Sequence, residues 1–165
     1  MTQSNTQRQP VPNMDTTCFA CGSDNHCGLH MQFFTDGEKL YATVIPPSHL
    51  SGWENLLHGG IISTMLDEIM VWTAMHLLQK VILTKSIQVE YLRPIQVNSE
   101  LEVQGWVEKK EERTAWIQGI ILDAKGREMA RSRGEMALFA PDSKVLQRIL
   151  PENITEKAKQ RFQGR

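Results

Sequence analysis

Two features that are unusual within one helix meet in the segment NLLHGGIISTMLDEIM. Gly59 and Gly60 open an apolar stretch, although glycine is a poor helix former. Asp67 and Glu68 then interrupt it, although burying a carboxylate is costly unless it is paired or used. Free N–H groups at a helix start attract negative charge, and glycine lets a ligand approach them closely. The pattern indicates an oxyanion-binding helix start, with a tight Gly-Gly turn as the alternative interpretation.

The spacing between the glycines and the acids indicates two half-sites. Asp67 lies eight residues after Gly59, which corresponds to about 12 Å along a helix, so one substrate carbonyl cannot contact both residues of the same chain. One helical stripe is apolar and is expected to pack on a sheet: Ile62, Met65, Leu66, Ile69 and Trp72. The opposite stripe is small and polar: Gly60, Ser63, Thr64, Asp67, Glu68, Val71 and Ala74. Because such a stripe suits close packing against a second copy of the helix, the sequence predicts a homodimer with the acids near the interface.

The rest of the chain reads mainly as strands. The helix is expected over 59–79, and the alternating or β-rich runs are 38–47, 84–94, 99–109, 113–123 and 127–140. Short, turn-like connections join the last four runs, so these are expected to form an antiparallel meander. One apolar helix beside about five antiparallel strands predicts an α+β domain with the helix on one face of a curved sheet.

Composition limits the class of protein. The chain has 165 residues, which suits one domain, and a net charge of −1, so no strong field draws it to nucleic acid or an acidic membrane. We expect a disordered tail over 1–17, the domain over 18–140, and a C-terminal tail with a short helix over 141–165. Neither a signal peptide nor an uninterrupted apolar run of about 20 residues is recognised. The sequence therefore predicts a cytoplasmic protein without nucleic-acid or membrane partners.

Two motifs carry a resemblance to a known family. LLHGGIISTMLDE followed by TKSIQVEYLRPI resembles the hot-dog-fold acyl-CoA thioesterases of the phenylacetyl-CoA thioesterase (PaaI-like) type, and the leader CFACGSDNHCGL resembles that of many bacterial members. The resemblance runs from about Cys18 to Phe139. It implies a hot-dog fold, in which a five- to six-stranded antiparallel sheet wraps a central helix and two subunits join their sheets edge to edge. It also implies a dimer, or a dimer of dimers, that hydrolyses acyl-CoA to a carboxylic acid and CoA without a cofactor.

The resemblance also implies catalytic roles. The Gly59 amide polarises the thioester carbonyl, and Asp67 of the partner subunit activates water as a general base or attacks as a nucleophile. Thr84 matches a Ser/Thr that helps to place the water in some members. His58 holds the turn or contacts the acyl carbonyl.

Further substrate contacts are expected around these residues. Some family members carry an asparagine six residues before the histidine, where this chain has Gly52, and Asn55 is the candidate to replace it. Gly60 extends the amide-bearing helix start, and Trp53 lies in the loop before it. On spacing alone Glu68 could replace Asp67 as the base, but it is expected to hydrogen-bond locally, to Thr64 or to the loop around Trp53.

Arginines supply the candidate contacts for CoA phosphates. Arg131 and Arg133 share one face of the last strand, and a pair of guanidinium groups suits a phosphate. The alternative interpretation is two solvated surface cations.

The three cysteines raise the question of a metal. Cys18, Cys21 and His26 match the first three ligands of a zinc knuckle, but the fourth position falls on Met31. We therefore expect no metal and interpret the segment as an ordered loop with buried thiols over the helix start.

Two other functions compete with thioester hydrolysis. One is an acyl-CoA sensor of the same fold, against which the combination of Asp67 and Thr84 argues. The other is a small zinc-binding nucleic-acid module, against which the near-neutral charge and the missing fourth ligand argue.

Overall fold

The structure, a computed structural model, describes residues 8–162. In this range the strands are β1 (Gln9–Val11), β2 (Phe33–Thr35), β3 (Lys39–Val44), β4 (Ser51–Trp53), β5 (Leu56–Leu57), β6 (Val81–Tyr91), β7 (Leu101–Lys110), β8 (Thr114–Asp123) and β9 (Glu128–Phe139). The α-helices are α1 (Gly59–Leu78), α2 (Leu146–Ile149) and α3 (Glu152–Phe162). A 3₁₀ turn at Ser48–Leu50 precedes the small β4–β5 hairpin.

One antiparallel sheet holds seven strands in the order β1-β2-β3-β7-β8-β9-β6, and helix α1 packs on it. The predicted α+β architecture, a long central helix with a large antiparallel sheet, is confirmed. The sheet has one strand more than the five or six expected, because β1 extends its edge beside β2.

The predicted four-strand meander is wrong at its first strand. β7, β8 and β9 follow one another as expected, but β6 pairs with β9 at the far edge of the sheet, from Val81 opposite Phe139 to Tyr91 opposite Ala130. The connection over 92–100 is a crossover rather than a turn. It buries Ile95 and Val97 in the core, and this packing carries the chain back to β7.

Both terminal segments pack on the domain. Within the described residues the predicted disordered N-terminal tail is wrong, because Gln9–Val11 pair with β2 and Val11 is buried; residues 1–7 lie outside the described residues. The helix expected in the C-terminal tail is α3, and it buries Ala158 and Phe162. The boundaries 18 and 140 therefore mark the region of family resemblance rather than the limits of the folded core.

Helix α1 owes its position to its apolar stripe. The five residues expected to face the sheet are buried: Ile62, Met65, Leu66, Ile69 and Trp72. The helix lies so close to β7 that a Cβ on Gly105 would approach Thr73 Oγ1 to 2.4 Å. Contrary to the sequence expectation, α1 is long and apolar enough to pass for a membrane span. Its packing against the sheet accounts for that composition.

Candidate active site

The start of α1 is organised by His58, which is its N-cap residue. The Gly60 N–H donates to His58 Nδ1 at 2.9 Å, and the Ile61 N–H donates to the His58 carbonyl at 2.9 Å. The Gly59 N–H donates to none of the described residues. His58 therefore fixes the turn, and the first amide of the helix stays available at the positive end of the helix dipole.

Asp67 and Thr84 form the second part of the site. Thr84 Oγ1 donates to Asp67 Oδ1 at 2.8 Å, which joins the helix to strand β6. Burial raises the pKa of Asp67, and the bond from Thr84 opposes part of that rise. A half-buried carboxylate with a raised pKa is a stronger base towards water than a solvated one.

A β-bulge in β6 turns Thr84 towards the helix. Thr84 pairs with Met136 and Ser86 with Glu135, so Lys85 is an extra residue on the β6 side. With this residue inserted, Thr84 lies on the same face as Tyr91, which contacts the start of α1. Without it, the alternation of the strand would place Thr84 on the outer face, away from Asp67.

Tyr91 is a further residue of the site that the sequence did not single out. Its hydroxyl lies 2.7 Å from Ser63 Oγ and 3.3 Å from the Gly59 carbonyl oxygen. Its ring edge lies 3.6 Å from where a Cβ on Gly59 would stand. A tyrosine at the end of a strand whose alternate residues face a helix is the only sequence signal for it.

Within one chain the two parts of the site stay apart. Gly59 and Asp67 belong to the same straight run of α1, about 12 Å apart along the axis. A cavity of about 780 Å³ lies instead between the N-terminal segment, the end of α1 and α3, lined among others by Pro12, His76 and Lys157. The chain thus presents two open half-sites along β6 rather than a closed pocket.

Glu68 does not bond where the sequence suggested. Its Oε1 accepts the indole N–H of Trp72 at 2.9 Å and lies 3.7 Å from the Cys18 Sγ, whereas Thr64 donates to the Gly60 carbonyl. The expected bonds to Thr64 or to the loop at Trp53 are therefore wrong. Burial is the main cause that raises the pKa of Glu68 to about 7.

The N-terminal cysteines lie over this side of the helix. Cys18 Sγ, Cys21 Sγ and a Glu68 carboxylate oxygen all lie within 4.8 Å of one another, and His26 is not part of the group. The hydrogen bond with Cys21 is the main cause that lowers the pKa of Cys18 to about 5, with help from the backbone N–H groups of Cys21 and Ala20. The same bond and burial raise the pKa of Cys21.

The candidate phosphate contacts point away from the helix. Ser132 Oγ contacts Met70 on α1, so the strand alternation puts Arg131 and Arg133 on the outer face of the sheet. There Arg131 pairs with Glu90 at 2.8 Å and Arg133 pairs with Glu108 at 2.8 Å.

Trp53 and Asn55 belong to the β4–β5 hairpin beside the start of α1. The Trp53 side chain is 82% exposed. Asn55 has a φ of 62°, and its carbonyl accepts the Val97 N–H at 3.1 Å, so it forms the turn of the hairpin. Gly60, by contrast, lies directly at the helix start, with its N–H bonded to His58.

Solved structures identify the fold. The chain has a TM-score of 0.68 with the crystal structure of RHA08564, a thioesterase superfamily protein, at 20% identity over 77% of this chain and 66% of that one. The Escherichia coli PaaI protein of the phenylacetic acid degradation operon scores 0.62 at 15% identity, over 68% and 81% of the chains. A hypothetical thioesterase from Streptococcus pneumoniae TIGR4, solved with coenzyme A, scores 0.58 at 18% identity, over 61% and 81%. These similarities establish a hot-dog fold.

The amino-acid sequence also matches a protein family and one relative. Residues 54–130 match the family described as the Thioesterase superfamily. An uncharacterised protein of Schizosaccharomyces pombe is 31% identical over 84 residues, which is 50% of this chain and about half of that protein's length, 48%. Together with the fold, the match confirms the resemblance to hot-dog-fold thioesterases that the two motifs carry.

Proposed function

We propose that this protein hydrolyses acyl-CoA thioesters, with Gly59 of one subunit and Asp67 of its partner acting on the same carbonyl. The Gly59 amide stabilises the oxyanion, and the carboxylate of Asp67 accepts a proton from the attacking water or attacks the carbonyl itself. One observation carries the proposal. Asp67, hydrogen-bonded by Thr84, lies on the same helix as the Gly59 amide, but the two are too far apart along the axis to contact one carbonyl within a chain.

The local geometry of the Gly59 amide and of the Asp67 carboxylate supports these roles. His58 accepts the Gly60 N–H, which holds the turn, while the Gly59 N–H has no acceptor among the described residues. Asp67 has one oxygen held by Thr84 and a pKa raised by burial. A fixed donor without a partner and a fixed, basic carboxylate reduce the reorganisation needed when negative charge develops on the carbonyl oxygen.

Strand β6 is the proposed dimer edge. It has eleven residues and pairs only with β9 in the described sheet, so its other edge carries unpaired backbone groups along the half-sites. Ile87 and Tyr91 are exposed there, at 37% and 55%. A long exposed edge strand is a surface that proteins ordinarily cover. Pairing it with a second β6 would place two copies of α1 side by side.

CoA as the leaving group is supported by the comparison with the Streptococcus pneumoniae structure, which contains coenzyme A. Arg131 and Arg133 are on the outer face of the sheet and already paired, so they contribute to phosphate binding only if those pairs open. Acyl-CoA is therefore proposed on the basis of the fold and the half-sites rather than on these arginines.

Subunit mixing tests the proposal directly. Gly59→Pro removes the N–H at the first helical position, where proline fits a helix, and His58 before it already has the extended conformation that proline requires (ψ 134°). Asp67→Asn removes the base. Each variant alone should hydrolyse an acyl-CoA panel at least 100-fold more slowly than wild type. Co-expressed subunits should regain about a quarter of wild-type activity, because half of the dimers are mixed and each has one intact site.

The matched control is Gly59→Ala, which keeps the N–H and whose Cβ meets only ordinary contacts with Tyr91, at 3.6 Å and beyond. It should retain most of the activity. No recovery in mixed dimers would contradict a site shared between subunits. Tight acyl-CoA binding by wild type without hydrolysis of any ester would instead identify the protein as an acyl-CoA sensor.

A further inference from the structure

We propose that Cys18, Cys21 and Glu68 form a binding site for a divalent metal ion of the zinc class, which fixes the N-terminal loop on helix α1. The Glu68 ligand lies about 100° round the helix from Asp67 and its bond to Thr84, and the site goes beyond the proposed thioesterase reaction.

The ligand atoms are nearly at coordination distance. Cys18 Sγ lies 3.7 Å from Glu68 Oε1, and the three ligand atoms lie within 4.8 Å of one another. Tetrahedral zinc with bonds of about 2.3 Å to sulfur and 2.0 Å to oxygen has neighbouring ligands about 3.5–3.8 Å apart. The group therefore needs to contract by about 1.3 Å at most to enclose the ion.

The turn that carries the two thiols is specific. The Gly22 N–H donates to the Cys18 carbonyl at 2.8 Å, and a Cβ on Gly22 would stand 2.5 Å from the Cys18 nitrogen, so only glycine fits. The turn encloses both cysteines at the C-x₂-C spacing that zinc ligands use.

Glu68 forms no ion pair with a cationic side chain among the described residues. Its Oε1 accepts the Trp72 indole N–H at 2.9 Å, which orients the carboxylate. Carboxylates that bind metals are commonly oriented by such hydrogen bonds. A cation between this carboxylate and the two sulfurs would compensate the buried negative charge.

The metal has three protein ligands and one position for water. No other His, Cys, Asp or Glu joins the group within the part of the chain that the structure describes. The expectation of no metal rested on ligands close in sequence, with the fourth knuckle position falling on Met31. The structure supplies a third ligand from α1, fifty residues after Cys18. Thiolate ligands in such a set favour zinc over magnesium or calcium.

The test uses the full chain, stripped with a chelator and titrated with Co²⁺ and then Zn²⁺. We expect one ion per chain, a sulfur-to-cobalt charge-transfer band that zinc abolishes, and a rise in the thermal midpoint with zinc. Zinc should protect two of the three thiols from a thiol reagent, while the exposed Cys27 continues to react.

Variants locate the ligands. Cys21→Ser should weaken zinc binding on the order of 100-fold or more, and Glu68→Gln by about 10- to 100-fold. Cys27→Ser is the matched control and should bind within threefold of wild type. If circular dichroism shows that Cys21→Ser does not fold, Cys18→Ser and Glu68→Gln decide the question.

Two results would overturn the proposal: wild type that binds less than a tenth of an ion per chain, or equal losses in Cys21→Ser and Cys27→Ser. None of these readouts uses hydrolysis, so their outcome is independent of the proposed reaction.

Discussion

Asp67 and Glu68 are neighbours in the sequence but lie in different surroundings. Asp67 is bonded to the Thr84 hydroxyl on the edge strand β6, beside the surface proposed for the second subunit. Glu68, about 100° further round the helix, is bonded to Trp72 and lies beneath the N-terminal loop next to Cys18. Both pKa values are raised by burial, so burial alone does not distinguish the proposed base from the proposed metal ligand. What distinguishes them is which element covers each carboxylate.

The largest expected effect tests this difference directly. Asp67→Asn should reduce kcat for acyl-CoA hydrolysis by about 10²- to 10⁴-fold, because it removes the base and keeps the side-chain volume. Glu68→Gln should reduce it by less than tenfold, because Glu68 lies away from Thr84 and acts only through the loop. Steady-state hydrolysis by the two purified variants provides the measurement. Equal losses would show that the two acids do not have separate roles.

A smaller effect is expected at the residue that holds Asp67. Thr84→Val keeps the shape but removes the hydrogen bond to Oδ1, which should lower kcat by about 10- to 100-fold, since a bond to a charged group contributes about 1.5–3 kcal/mol. Thr84→Ser retains the hydroxyl and should stay within threefold of wild type. Full activity of Thr84→Val would show that Asp67 is positioned without this bond, by the helix alone.

The sequence predicted the helix well because its information is local. Periodicity identified the buried stripe from Ile62 to Trp72, and the Gly-Gly pair before the apolar run placed His58 and Gly59 at the helix start. The position of β6 beside β9 could not be predicted in this way, because it depends on how the crossover over 92–100 packs. Short connections favour neighbouring strands, and that rule fails where a longer segment buries its own apolar residues.

In the candidate site too, local features were predictable from the sequence and contacts between distant segments were not. The family pattern predicted Thr84 as a site residue. The bulge at Lys85, which turns Thr84 towards Asp67, has no recognisable signal in the sequence. Glu68 was mispredicted in two ways: its bond to Trp72, four residues further on, lies within reach of helical spacing and was overlooked, whereas Cys18 reaches Glu68 only when the N-terminal loop folds over the helix. Contacts between distant segments depend on the whole fold, so neither spacing nor local propensity reveals them.

The smallest expected effect concerns Tyr91, which lies beside the other half-site. Its hydroxyl contacts Ser63 and the Gly59 carbonyl, so it supports the turn that presents the Gly59 amide rather than the amide itself. Tyr91→Phe keeps the ring against Gly59 and should lower kcat about two- to fivefold, with KM shifted by a similar factor or less. Removing the Ser63 hydroxyl as well, with Ser63→Ala, should add little, because both changes break the same bond. A loss as large as that of Asp67→Asn would instead make Tyr91 a donor to the substrate oxygen, and the oxyanion site would then extend from the helix start to the end of β6.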